Sequence, residues 1–250
     1  MKVRQGSGRA QLGSRARVRP FGDRTGVVQL VLTDRAVVPG PQELSDWIDA
    51  MATSEDAVHT VRTGALFPDA AARFADAGFA VIDTLELLEL DLSTRSALPT
   101  ADDAQARTGS LPARRHAEAA AIDGDAFGLP WANDGDDLAD IRRATPRHVA
   151  RGRYIGGRLE RRLVAFAITG AASGQGYLQR LAVDPAHQRQ HHGWALAVDS
   201  LHWMRRHRLR AALVNTSVDN APALALYRSI GFQPRHERLH VMELAVRTPR

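Results

Sequence analysis

The alternation of apolar and polar positions divides the first part of the chain into strands and helices. Apolar runs typical of strands occupy 27–33, 59–67 and 79–92. Two intervening stretches place apolar side chains at helical spacing and start with a proline, which favours the first turn of a helix: 41–52 and 68–77. Gly78 follows the second stretch as a helix-ending residue. We therefore predict an α/β unit over residues 25–92.

The second part of the chain has the same kind of pattern over a longer stretch. Strands are predicted at 148–155, 162–169, 177–183, 211–215 and 239–246. Helices are predicted at 116–127, 193–206 and 222–230, the last with Gly231 at its C-terminal cap. A glycine-rich turn is predicted at 170–176, and an acidic turn with Gly135 in its middle at 133–137. Together the two parts predict a mixed α/β fold.

Two polar stretches lie outside these units. Residues 1–24 place seven basic residues among glycine and serine, which predicts a basic flexible tail. Residues 93–115 are polar and lack a periodic apolar pattern, which predicts a linker. The predicted organisation is a tail at 1–24, a small unit at 25–92, a linker at 93–115 and a larger domain at 116–250.

The chain also contains a weak internal repeat. Residues 72–90 align with 225–244, and each copy has a helix, a Gly-Phe pair and a long strand in the same order. The alignment places Phe74 opposite Tyr227. A duplication is the interpretation we favour, because repeated elements keep their type after their sites have diverged. The alternative is chance, since a helix, a Gly-Phe pair and a strand form a common local pattern.

Composition narrows the class of protein. The chain has 250 residues, 44% of them hydrophobic, and no cysteine, so disulfides and thiol chemistry are excluded. We expect a cytoplasmic protein without a membrane span, because no run of 18 apolar residues occurs. The net charge is +5, almost all from arginine, but the charges are scattered rather than gathered into a stripe. Charge alone therefore does not favour nucleic-acid binding as the main function.

The stretch from Leu181 to Leu196 is the strongest candidate for a binding site. A predicted strand ends at Asp184-Pro185, a polar loop of Gln, Arg and His follows, and Gly193 begins a helix. The first N–H groups of a helix have no intrahelical partner and lie at the positive end of the helix dipole. A strand, a polar turn and a helix N-terminus therefore predict a site for a phosphate or pyrophosphate.

Two linked motifs resemble those of the GCN5-related N-acetyltransferases, the GNAT superfamily. The first is the pyrophosphate loop R/Q-R-x-G-x-G/A, here residues 188–193. The second is N-x-x-A-x-x-L-Y-x-x-x-G-F, which is complete in Asn220, Ala223, Leu226, Tyr227, Gly231 and Phe232. The resemblance covers about residues 116–246. It implies the GNAT fold there, preceded by a partial, degenerate GNAT-like unit with no pyrophosphate donors at 37–41 and no hydroxyl at Phe74.

The resemblance implies transfer of an acetyl group from acetyl-CoA, a cosubstrate, to a primary amine that attacks the thioester directly. It assigns cofactor binding to Leu181, Ala182, Val183, Gln188, Arg189, Gln190, His191, His192, Gly193, Trp194, Asn220, Ala223 and Tyr227. Tyr227 is also the expected catalytic acid, which protonates the leaving sulfur. Its other interpretation is a packed aromatic side chain, and Asn220 is also suited to capping the following helix. His191 stands where the family has glycine, so it either crowds the phosphates or leaves its N–H usable.

The sequence does not identify the residue that deprotonates the amine. Relatives often keep a glutamate on the strand 177–183, where this chain has Gln179 and Arg180; other candidates are Asp134, Asp136, Asp137, Glu160 or a water chain. Trp131 either lines the acceptor groove or anchors the core. No carboxylate or cysteine accompanies the histidines His187, His191, His192 and His202 at a zinc spacing, so no metal is expected.

The sequence does not identify the acceptor amine either. It can belong to a small molecule, a peptide or a protein, and a homodimer is one option for the assembly. The alternative function is a catalytically weak or inactive GNAT-fold interaction module that binds CoA poorly.

Overall fold

The computed structural model describes eight stretches of the chain: residues 10–21, 25–34, 37–53, 58–93, 98–100, 106–129, 131–157 and 161–246. They form two compact units. The first unit contains the described residues up to Leu87, together with Thr216–Asp219 and those from Arg235 onward. The second contains Leu88–Asn215 and Asn220–Pro234. The expected mixed α/β fold is confirmed.

The first unit is a mixed sheet with two helices. Its strands are β1 (Ala10–Leu12), β2 (Ala16–Pro20), β3 (Val27–Leu32), β4 (Thr60–Thr63) and the first part of β5 (Ala80–Asp91). Its helices are α1 (Pro41–Ala52) and α2 (Pro68–Asp76). β3 and β4 are parallel, and the buried side chains of Leu44, Trp47 and Phe74 fill the core.

The second unit is a larger sheet with helices on both faces. Its strands are β6 (Arg107–Ser110), β7 (Arg147–Ile155), β8 (Arg162–Ala172), β9 (Gln175–Val183) and β10 (Ala211–Ser217), and the last residues of β5 belong to it. Its helices are α3 (His116–Phe127), α4 (Gly135–Arg143), α5 (His192–Arg206) and α6 (Ala221–Ile230). The final strand of the chain is β11 (Gln233–Ala245). The strand order in the second unit is β5-β10-β9-β8-β7-β6.

The two faces of this sheet have separate cores. Alternate residues of β8 and β9 point in opposite directions, as strand geometry requires. Ala165, Ala167 and Leu178 lie in a cluster with buried residues of α5 and α6, such as Leu201 and Tyr227. On the other face, Phe166, Ile168 and Ala182 pack with Ala119 and Ile122 of α3 and Leu138 of α4. The sheet therefore separates α5 and α6 from α3 and α4.

Three predictions from polar sequence differ from the structure. The expected tail forms β1 and β2, whose residues pair as an antiparallel hairpin, with Ala16 and Val18 buried. The expected linker contains β6, which pairs with β7. The acidic turn is the N-terminus of α4, where Gly135 is the first helical residue. In each case a short amphipathic element is stabilised by pairing or packing that its own sequence does not reveal.

The glycine-rich stretch 170–176 is also not one long turn. Ser173 and Gly174, both with positive φ, form a two-residue turn, and the strands continue on either side of it. Gly170 and Gly176 lie within these strands. A Cβ at Gly170 would overlap Thr145 and Gln179, and one at Gly176 would overlap the Met204 thioether. Both glycines therefore serve close packing rather than the turn.

The last strands of the two units are exchanged. β11 follows α6 in the chain, yet its residues from Arg235 onward belong to the first unit, where Glu243 is paired with Arg62 of β4. β5 follows α2, yet Leu88 belongs to the second unit and is fully buried there. The N–H of Leu92 donates to the carbonyl of Arg210 at 2.8 Å within the same unit. The first unit is therefore completed by most of the strand that follows α6, and the second unit includes the end of the strand that follows α2.

The repeat seen in the sequence has matching local structure. In the first unit Phe74 lies edge-on to Phe79 with ring centroids 5.0 Å apart, and in the second Tyr227 lies edge-on to Phe232 at 5.8 Å. Each helix ends before a glycine with positive φ. The N–H of the later aromatic residue donates to the carbonyl of the earlier one in both copies, at 3.0 and 3.1 Å. These shared details support the duplication over chance.

Candidate functional site

An opening between two parallel strands is the central feature of the second unit. The pairing of β9 with β10 joins Gln175–Tyr177 to Ala211–Leu213 and ends there. The rest of β9, up to Val183, pairs with β8 on its other side. Main-chain groups in a strand need partners, so the separated edges offer hydrogen bonds to a bound molecule. Leu181, Ala182 and Val183, the predicted pantetheine-binding residues, lie on this part of β9.

A β-bulge stands at the point where the strands separate. Ile168 of β8 is opposite Arg180, while the next residue, Thr169, is opposite Leu178. Gln179 is therefore the extra residue on β9, and a bulge of this kind bends a strand and increases its twist. The bulge also gives two successive residues the same direction: Gln179 approaches Gly170 and Thr145, and Arg180 reaches α3.

The loop after β9 is fixed by Asp184. Its carboxylate accepts a hydrogen bond from the N–H of Ala186 at 2.9 Å and lies 3.1 Å from both Arg162 and His187. Burial opposes the charged form, but the Ala186 N–H and the neighbouring His187 and Arg162 outweigh it, and the pKa of Asp184 lies below its usual value. The carboxylate thereby holds a short 3-10 turn, Pro185–His187, directly before the predicted pyrophosphate loop.

The pyrophosphate loop has a strained backbone at two positions. Arg189 and His191 have φ values of 57° and 60°, in the left-handed region that favours glycine. For a residue with a Cβ this conformation costs about 1–2 kcal/mol. His191 therefore has the backbone that glycine would adopt, and its side chain is exposed. Left-handed residues of this kind concentrate at functional sites.

The N-terminus of α5 differs from that of α1. In α1 the Glu43 carboxylate accepts a hydrogen bond from the N–H of Gly40 and pairs with Arg15 at 2.7 Å. At α5 the N-cap is His191, which makes no side-chain cap, and the first turn has no acidic residue. Because a helix N-terminus attracts negative charge, α1 supplies its own carboxylate while α5 is left for an external anion. Gln188, Gln190 and His192 complete this loop without a carboxylate.

The remaining predicted cofactor-binding residues lie in the first turn of α5 and at the start of α6. Gly193, in the first turn of α5, faces side chains of Val183, Leu181 and Leu226 at 3.4–3.9 Å from where its Cβ would be. Trp194 and Ala223 pack against the cluster on the α5 face. Asn220 caps α6, since its side chain accepts from the N–H of Ala223 at 3.2 Å. The capping role expected of Asn220 is thus confirmed.

Tyr227 lies on α6 with 5% of its surface exposed. Burial raises the pKa of its hydroxyl above the ordinary value, and the nearby Arg180 guanidinium only partly opposes this. The phenol therefore stays protonated at neutral pH, which a general acid requires and a general base cannot use. The phenylalanine at the matching place in the first unit has no proton to give.

Two of the four carboxylates considered as a base, Asp134 and Asp137, have structural partners. Asp134 caps α4 by accepting a hydrogen bond from the N–H of Asp137 at 2.8 Å, and the Asp137 carboxylate accepts one from the N–H of Asp134 at 3.4 Å. Asp136 is exposed in the first turn of α4. Glu160 lies outside the described residues. Asp134, Asp136 and Asp137 thus form the N-terminus of α4, which explains the acidic sequence at 134–137.

A buried ion pair was missed by the sequence reasoning. Asp123 of α3 is 0% exposed and accepts two hydrogen bonds from Arg180, both at 2.6 Å. The sequence offered Arg180 only as a residue unable to act as a base. Asp123 lies mid-helix among alanines, and the one available signal was an acidic residue on an otherwise apolar face.

Two kinds of feature are not seen in the described part of the chain. Among those residues, no group of three or more His, Cys, Asp or Glu side chains is placed to hold a metal ion. No described helix is long and apolar enough to cross a membrane.

Comparison with known proteins shows which family this region matches. Residues 118–232 match the family model described as Acetyltransferase (GNAT) family. The alanine N-acetyltransferase of ribosomal protein bS18 from Escherichia coli (strain K12) is 35% identical over 71 residues, 28% of this chain and 48% of that protein. The same enzyme from Shigella flexneri matches equally. The chain thus spans about half the length of the curated relatives it matches.

Solved structures agree with the fold of the whole chain. A tandem GNAT protein from the clavulanic acid biosynthesis pathway has a TM-score of 0.66 at 15% identity, covering 99% of this chain and 83% of that one. A GCN5-related N-acetyltransferase from Sphaerobacter thermophilus has a TM-score of 0.61 at 12% identity, covering 93% and 77%. At such identities the likeness concerns the fold alone.

Proposed function

Because residues 118–232 form a GNAT acetyltransferase domain, we propose that the chain is an acetyl-CoA-dependent N-acetyltransferase. The observation that supports this most is the joint position of the separated β9–β10 edges and the α5 N-terminus without a capping carboxylate. One offers main-chain partners to an extended arm, and the other favours a pyrophosphate. A CoA thioester needs both, at adjacent places.

In this proposal the chain's own groups have distinct roles. Main-chain N–H groups of residues 188–193 bind the pyrophosphate, and main-chain groups of Leu181–Val183 hold the pantetheine arm. An N–H at the bulge polarises the thioester carbonyl. The bound cosubstrate supplies the acetyl group as an activated thioester. The amine nitrogen forms the bond to the acetyl carbon and loses a proton to water, while the carbon–sulfur bond breaks and Tyr227 donates its phenolic proton to the sulfur.

The acceptor in this proposal is a primary amine, and the relatives suggest which to test first. The bS18 enzymes are named for acetylating an alanine of a ribosomal protein. A peptide with a free N-terminal alanine is therefore the first probe, beside small alkyl amines and lysine-containing peptides with a blocked N-terminus. A cytoplasmic location would fit such acceptors.

A thermal melt with millimolar acetyl-CoA, CoA or ATP tests the proposal. A molecule that binds only the native state raises the midpoint in proportion to the logarithm of its excess over Kd. We expect a shift with acetyl-CoA and CoA but not with ATP. Transfer is then measured by release of free thiol, and the absence of cysteine means that the protein itself gives no background with a thiol reagent. No shift with any of the three would leave the interaction module as the function.

A further inference from the structure

We infer that Arg180 and Asp123 are positioning residues for the acceptor amine, because together they fasten Trp131 and Asn133, in the loop after α3, to the strand that holds the thioester. This inference rests on the proposed function. It concerns a pair of charges to which the proposed roles above assign no function.

The pair ties three segments together. Arg180 of β9 donates to both oxygens of Asp123 in α3 and, at 2.9 Å, to the carbonyl of Trp131 in the loop. Asp123 in turn accepts from the main-chain N–H of Asn133 at 2.7 Å and from its side-chain amide at 3.2 Å. The guanidinium lies 3.6 Å from the centroid of the Phe127 ring. These hydrogen bonds thus join Arg180 to the end of α3 and to the loop after it.

The position of Arg180 follows from the bulge. A regular strand would turn successive side chains to opposite faces, but the extra residue Gln179 lets Arg180 point toward α3 at the place where β9 leaves β10. On the other face of the sheet, Tyr227 belongs to the cluster with α5. Arg180 and Tyr227 thus lie on opposite faces of the sheet, and the guanidinium is near enough for its charge to oppose the rise in the pKa of the phenol.

The acceptor has to come from the side of the loop. The α5 face supplies the pyrophosphate site and the proton donor, which leaves the α3 face for the attacking nitrogen. There the loop presents Leu129, which is 78% exposed, and Trp131, which is partly exposed. Reacting groups must be held within narrow distances for attack, so a loop fastened by a buried ion pair is suited to setting the path of the amine.

Substitutions separate positioning from folding. Arg180→Met alone leaves the fully buried Asp123 carboxylate without its charged partner and can prevent folding. The double variant Asp123→Leu/Arg180→Met removes both charges and keeps an apolar filling, which buried ion pairs often tolerate. Arg180→Lys keeps the positive charge, but an ammonium group lacks the planar, bidentate geometry by which the guanidinium binds two carboxylate oxygens and a carbonyl at once. The matched control is Arg143→Met, whose guanidinium is 63% exposed and pairs with Asp140 on the surface.

Two measurements test the inference. The first is hydrogen exchange at the amide of Trp131, whose N–H donates to the carbonyl of Gly128 and not to either substituted side chain. The second is the KM of a peptide with a free N-terminal alanine, measured beside the acetyl-CoA thermal shift. In the double variant we expect faster exchange and a KM raised about tenfold to a hundredfold. The acetyl-CoA shift should stay as in the wild type, Arg180→Lys should be intermediate and Arg143→Met unchanged.

The outcomes distinguish this inference from the proposed function. Unchanged exchange in a folded double variant overturns the inference, because the pair would not hold the loop. Faster exchange with an unchanged KM overturns it as well, because the loop would not border the acceptor. A wild-type protein that fails to shift with acetyl-CoA, or shifts but transfers to no amine, overturns the proposed function, and the acceptor role falls with it.

Discussion

Tyr227→Phe removes one hydroxyl and should leave the rest of the site in place. Phe74, at the equivalent position of the first unit, is fully buried and packs edge-on to Phe79, so a phenylalanine is compatible with this packing. The free energy of unfolding should therefore change by less than about 1 kcal/mol, the net worth of a typical hydrogen bond. Loss of a general acid slows turnover about 10²–10⁴-fold, which corresponds to roughly 3–5 kcal/mol at 1.36 kcal/mol per tenfold.

The assay is thiol release from acetyl-CoA between pH 6 and 9, with the thermal shift by acetyl-CoA measured on the same preparation. Because burial raises the pKa of Tyr227, the wild-type phenol stays protonated over this whole range, and the ratio of wild-type to variant turnover should not vary with pH. Unchanged turnover would refute the acid role. A slow variant that has also lost the acetyl-CoA shift would refute the reasoning too, since the hydroxyl would then serve binding or packing.

Three further predictions concern the loop, the pH and the exchanged strand. His191→Gly relieves a left-handed histidine that already has a glycine-like backbone and an exposed side chain, so the Kd for acetyl-CoA, followed by calorimetry, should stay within about threefold, under ~0.7 kcal/mol; a tenfold change in either direction would show that the imidazole crowds or contacts the phosphates. Asp184 has a pKa lowered by folding, so its stabilisation is present above its unfolded pKa of about 3.9 and is lost as the pH falls through the lower folded pKa. Melting midpoints from pH 6 to pH 3 should accordingly fall less in Asp184→Asn than in the wild type, and parallel curves would contradict this. A chain of residues 116–250 alone lacks Leu88 of β5 and Leu92 just after it, which are buried in the core of the second unit, and the burial of each is worth about 1.5–3 kcal/mol. This shortened chain should give no cooperative melt, and a chain that also contains residues 80–115 should recover part of the transition.

The predicted elements that held were those with a strong local signal. The helix 116–127 is rich in alanine, a strong helix former, α5 is apolar on one face, and the polar loop between β9 and α5 is bounded by a proline and a glycine. The two family motifs are local as well, and the structure brings both to the same opening. Local sequence is thus sufficient to predict these elements, and the cofactor site that the motifs imply stays a prediction.

What the sequence could not reveal depends on contacts between distant residues. The helix α4 has only Leu138 and Ile141 as large apolar residues, and it forms because these pack on the α3 face. The bulge at Gln179 arises from the register between β8 and β9, so no single stretch of the sequence predicts it. The Asp123–Arg180 pair joins residues 57 positions apart, and neither residue belongs to a motif.

The exchanged strands also set the order in which a newly made chain can fold. Arg62 on β4 binds Glu243 on β11, 181 positions later. A ribosome releases the N-terminal residues first, but the sheet of the first unit stays incomplete until the last strand has emerged. The second unit, by contrast, needs only residues up to 234, and β5 is already available when its other strands appear. The half of the chain that is synthesised first is therefore the one that must finish folding last, with an open strand edge waiting throughout translation.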